Sequence, residues 1–112
     1  MKEEKKTAFD VSKRMEELIN ATGPTKYGFS GITGINYSSL EKWLNESSPK
    51  IQVCSVQQFC REMGMPVSDF FRENLTAEDI FRIVISFWWK RMDDDQRKQA
   101  LDWMNFMVTK KR

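Results

Sequence analysis

The stretch GFSGITGINYSSLEKWLN, Gly28 to Asn45, decides how this chain is read. Gly28, Gly31 and Gly34 stand at three-residue spacing directly before a segment with helical periodicity. A loop that cradles a phosphate uses glycines, and so does a tight turn between two helices. A P-loop needs four residues between its glycines and then Lys-Ser/Thr. A dinucleotide fingerprint needs G-x-G-x-x-G after a strand. Here the pattern is G-x-x-G-x-x-G, no strand-like run precedes it, and no lysine follows Gly34. Both phosphate readings fail on spacing.

The turn reading places each residue. Thr25 fits an N-cap, its hydroxyl accepting from a free backbone N–H. In the helix behind it Phe29 is the apolar anchor, and Ser30 is the small residue where two helices cross. Gly28 and Gly31 each cost such a helix about 1 kcal/mol relative to alanine. Gly34 ends it and permits a left-handed turn. Ile35 follows, Asn36 is the next N-cap, and a helix over 37–45 turns Leu40, Trp43 and Leu44 inward. Thr33 stands where an aliphatic residue is usual, and Ile32 beside it is expected to take that contact.

Outward from this pair the chain stays helical. A first helix over about 9–21, with Phe9, Met15, Leu18 and Ile19 near helical spacing, is stopped by Thr22-Gly23-Pro24. After the loop Glu46-Ser47-Ser48-Pro49-Lys50, Val53, Val56, Phe59, Cys60 and Met63 form one apolar stripe on a fourth helix, over 53–63, ended by Gly64. A short fifth helix over 67–72 buries Phe70 or Phe71. Thr76 and Asp79 resemble a capping box opening a sixth helix over 77–92. Asp93-Asp94-Asp95 gives an acidic start, favourable to the helix dipole, for a seventh over 94–108. A strand over 83–89 is the alternative for that β-branched, aromatic run, and the flanking caps favour helix.

The chain has 112 residues, 30% charged and 40% apolar, enough for one domain and a small appendage. The charged start Lys2-Glu3-Glu4-Lys5-Lys6 is no signal peptide and is expected to fray as a disordered segment over 1–8. No apolar run reaches the roughly 20 residues of a membrane span, so a cytoplasmic protein is expected. Cys54 and Cys60 are then expected to be reduced, and with no histidine they make no common zinc site. The absence of histidine also removes the usual general base. No catalytic residue, metal or cofactor is singled out, and no small-molecule substrate is expected. Residues 1–74 carry ten basic and ten acidic side chains, and 75–112 carry eight and six. Charge alone does not point to nucleic acid.

Residues 9–74 resemble the helix-turn-helix domain of the lambda repressor and Cro type, the xenobiotic-response-element family. Phe29-Ser30, Gly34-Ile35, Leu40 and Trp43 carry the resemblance, together with the stretch from Phe59 to Phe71, which is similar to that family's closing helices. It implies an all-α, five-helix domain binding double-stranded DNA, its third helix in the major groove. Carried onto this sequence, Asn36, Tyr37, Ser38, Ser39 and Lys42 are the expected base contacts, and Thr25, Lys26, Asn45 and Lys50 the expected phosphate contacts. Glu41, on the same helix, opposes phosphate.

Residues 75–112 read as a helical hairpin that either completes the core or forms a homodimer. The sixth helix is apolar nearly all round and must be covered on all sides. Phe81, Val84, Phe87, Trp88, Trp103 and Met107 are the candidate dimer contacts. The function expected is a sequence-specific transcriptional regulator, from a bacterium or a mobile element. The alternative is a protein-interaction module on the same fold, an antitoxin or an inhibitor, which the near-neutral charge and the undiscriminating Ser38-Ser39 pair favour.

Overall fold

A computed structural model describes residues 9–45 and 51–110. The expected fraying over 1–8 and the Lys50 phosphate contact lie outside the described residues. Among the described residues all regular structure is helical, in the order α1 (Val11–Thr22), α2 (Lys26–Thr33), α3 (Tyr37–Asn45), α4 (Val53–Met63), α5 (Val67–Phe70), α6 (Ala77–Arg91) and α7 (Asp94–Lys110). The run considered for a strand lies inside α6. No helix is long and apolar enough to cross a membrane.

Local chemistry sets the boundaries. Asp10 caps α1 by accepting from the Lys13 N–H at 3.0 Å. Phe9 therefore stays outside the helix, its ring 6.0 Å from Phe70 and 5.1 Å from Phe71. Thr25 caps α2, accepting from Gly28 N–H at 3.0 Å. A Cβ on Gly28 would stand 3.3 Å from that same hydroxyl, which gives this glycine a local reason. The capping box at α6 forms: Asp79 N–H donates to the Thr76 hydroxyl and Thr76 N–H to the Asp79 carboxylate, both at 3.0 Å.

Four fully buried phenyl rings join four helices. Phe29 of α2 lies 6.0 Å from Phe59 of α4 and stacks on Phe87 of α6 at 5.5 Å, while Phe59 meets Phe70 of α5 at 5.8 Å. Met15, Leu18 and Ile19 of α1 and Leu40 and Trp43 of α3 complete the core. Phe70 is thus the buried member of its pair and Phe71 is exposed. Val53 departs from the expected stripe. It opens α4 at the helix end and is 71% exposed, because the apolar face begins at Val56.

Polar groups clasp this body at its edges. The buried Arg14 guanidinium donates to the carbonyls of Phe70, Arg72 and Glu73, satisfying acceptors at and just past the end of α5. Arg91 pairs with Glu62 at 2.8 Å and lies over the Phe87 ring at 4.0 Å. The Trp88 indole donates to the Thr22 carbonyl at 3.3 Å.

The C-terminal pair divides. α6 completes the core through Ile83 and Phe87, but it is not covered on all sides, since Phe81 is 64% exposed. α7 buries no residue, so core completion does not extend to it. Asp93 and Gln96 cap its start reciprocally at 2.8 and 3.0 Å. Arg97 ties it to α6, donating to the Trp89 carbonyl at 3.0 Å with its guanidinium 5.4 Å from the indole. Beyond Arg97 α7 runs off the body, and the molecule measures 57 × 33 × 21 Å.

Candidate nucleic-acid interface

The turn between α2 and α3 is laced by two side chains and one backbone bond. Gly34 has φ 81° and ψ 0°, the left-handed region that glycine adopts without strain. Ser30 donates to the Ile35 carbonyl at 2.6 Å, and Gly34 N–H returns to the Ser30 carbonyl at 2.8 Å. Thr33 donates to the Phe29 carbonyl at 2.8 Å and accepts from Ile35 N–H at 3.2 Å. Its hydroxyl is therefore used in the turn, where an aliphatic side chain would offer only packing. Ile32 does not take over an inward contact; it is 42% exposed. Ile35, 1% exposed, plugs the space under the turn.

Asn36 caps α3, its side-chain oxygen accepting from Ser38 N–H at 2.9 Å and Ser39 N–H at 3.3 Å. Leu40 and Trp43 face inward. Ser12 of α1 donates to the Trp43 carbonyl at 2.6 Å and fixes the far end of the helix. The other side of α3 faces solvent: Asn36, Ser38, Lys42 and Asn45 are exposed, and Tyr37 and Ser39 half-buried. Thr25 and Lys26 are exposed at the start of α2.

The start of α2 lies beside the first turn of α3. Tyr27 meets Tyr37 edge-on, ring centroids 5.7 Å apart. Tyr37 donates to the Glu41 carboxylate at 3.3 Å, and the Lys26 ammonium lies 3.9 Å from it. Thr25, Lys26, Tyr37 and Glu41 thus gather at one end of the pair, with Asn45 at the far end of α3. Sequence reasoning missed Tyr27 and the partnership of Lys26 with Glu41. Tyr27 had a signal, an aromatic two residues after a helix cap. The Lys26–Glu41 contact had none, because it depends on how two helices cross.

Of the dimer candidates, Phe87 is corrected: it is fully buried against Phe29 and reaches no second chain. Val84 and Trp88 are half-buried, while Phe81, Trp103 and Met107 are exposed.

Away from this face the fold displaces three titrations. Burial pushes the Cys60 thiol from 9.0 up to about 11. The hydrogen bonds from Thr76 hold the Asp79 carboxyl below its usual range, with Arg72 and Arg82 adding to the effect. Burial lowers Arg91, and Glu62 opposes that. Both cysteines are free thiols, Cys54 exposed. Among the described residues no cluster of acidic or cysteine side chains could hold a metal ion. Compared with known proteins, the chain matches no family model, no curated protein and no solved structure.

Proposed function

We propose that this chain is a sequence-specific DNA-binding transcriptional regulator. In this reading α1 to α5 form a helix-turn-helix domain of the lambda repressor type, and α3 enters the major groove. One observation supports it above the others. The first turn of α3, with Asn36 and Ser38 exposed, stands on a turn locked by Gly34, Ser30 and Thr33, and the inner face of the helix is anchored by Leu40 and Trp43. A rigid helix with a polar outer first turn is what groove reading needs. Asn36, Tyr37, Ser38, Ser39 and Lys42 meet base edges, Lys42 donating to guanine O6 and N7. Thr25, Lys26 and Asn45 hold phosphates. A second copy supplies a second half-site about 34–36 Å away.

Selection of duplexes from a random-sequence library, near physiological salt, tests the reading. A two-fold-symmetric enriched site is the expected result. On that site, Lys42→Ala relaxes sequence preference, while Lys26→Ala weakens all sequences alike. Equal binding by wild type and both variants would remove the groove assignment.

A second reading has its own support. Lys26 spends part of its charge on Glu41, and Tyr27 stands exposed beside Tyr37. A face with paired charge and an open aromatic ring suits a protein partner, as in an antitoxin or an inhibitor. Absence of any enriched duplex from folded protein favours that reading.

A further inference from the structure

We propose that α7 is a self-association helix that pairs antiparallel with α7 of a second copy. The inference is independent of DNA recognition and would stand equally if α3 met a protein.

α7 is capped and tethered at its start but contributes nothing to the core. Its cap is formed, Arg97 holds its first turns to α6, and none of its residues is buried. Ala100, Met104 and Met107 recur at i, i+4 and i+7 and form one seam, flanked by Leu101 and Val108 on one side and Trp103 on the other. The large members of that seam are all exposed, Trp103 at 61%. Phe106 stacks on Trp103 at 5.5 Å and widens that flank. Side chains of this size, half exposed, offer on the order of 100 Å² each, so the helix presents several hundred Å², the scale of a small specific interface.

Charge selects the occupant and its direction. Asp94 and Asp95 open the helix and Lys110 closes it. A parallel pair would set acid on acid at one end and base on base at the other. An antiparallel pair sets the acidic start of each helix beside the basic end of its mate, and the helix dipoles oppose favourably. The seam agrees with this direction. Layering Ala100 against Met104 of the second copy puts small against large. The same register brings Asp94 level with Lys110 of the second copy, and each Leu101 and each Trp103 beside its own counterpart near the two-fold axis.

Sedimentation equilibrium of the full chain, with no DNA present, is the first test. A concentration-dependent monomer–dimer equilibrium is expected, and Met104→Glu should weaken it at least about tenfold, since each dimer would bury two unpaired carboxylates. For direction, a spin label on Lys110→Cys in a Cys54→Ser background should give an inter-label distance of about 25 Å, the rise of the intervening turns. A wild type that stays monomeric up to roughly 1 mM, a dimer indifferent to Met104→Glu, or labels lying within about 15 Å would each overturn the proposal. Loss of fold in Met104→Glu, read by circular dichroism at monomeric concentration, would also overturn it, because α7 would then belong to the body.

Discussion

α6 and α7 are similar in length and both rich in large apolar residues, yet only one is part of the core. α6 enters the body through two side chains, Ile83 and Phe87, the second stacked on Phe29. α7 carries Leu101, Trp103, Met104, Phe106, Met107 and Val108 and leaves every one in solvent. The difference lies in what each helix meets. α6 lies against both α1 and α4, whereas α7 is held to the molecule at Trp89 and then departs. Apolar content marks a helix that needs cover, and neighbours decide whether the same chain supplies it.

Substitutions can break or sharpen this contrast. Phe87→Ala should have the largest effect, a loss of about 3–5 kcal/mol, read from the midpoint of denaturant unfolding. Gly34→Ala should follow at roughly 1–2 kcal/mol, because a Cβ in the left-handed region is strained even though no atom lies near it. Next comes a pH effect in the body alone. The folded chain keeps the Cys60 proton that the unfolded chain releases from about pH 9.0, and it gives that proton up only near 11. Unfolded chain binds fewer protons in that window, so stability falls as pH rises through it. Cys60→Ala should flatten the slope in pH-dependent melting. Trp103→Ala should be smallest, within about 0.5 kcal/mol for the monomer. A loss near that of Phe87→Ala would place α7 in the core and erase the contrast.

Much of the body could be read from residue spacing. The α4 bounds, the Thr25 and Asn36 caps, the Gly34 turn and the Thr76–Asp79 capping box follow from local chemistry, and local chemistry is written in sequence order. Departures came where packing or a hydrogen bond, rather than periodicity, decides. Val53 fits the α4 stripe by spacing, but it opens the helix 71% exposed. Thr33 stands where spacing expects an aliphatic residue, and its hydroxyl bridges Phe29 and Ile35. The burial of Arg14 had no signal, since its acceptors lie on the other side of the chain. In the candidate interface the exposed positions of α3 were legible from its period of 3.6 residues. The pairing of Lys26 with Glu41 was not, and it changes how much positive charge that face offers.

The Arg14 clasp has a consequence for synthesis. Its partners at residues 70 to 73 are separated from it by 56 to 59 residues. Trp88 reaches back further still, to Thr22, and Phe87 over a comparable span to Phe29. A chain emerging from its N-terminus therefore makes α1 long before the groups that hold α1 exist. Until then α1 has α3 to pack on, through the Ser12–Trp43 bond, and its remaining contacts wait for α5 and α6. The body then closes as one unit.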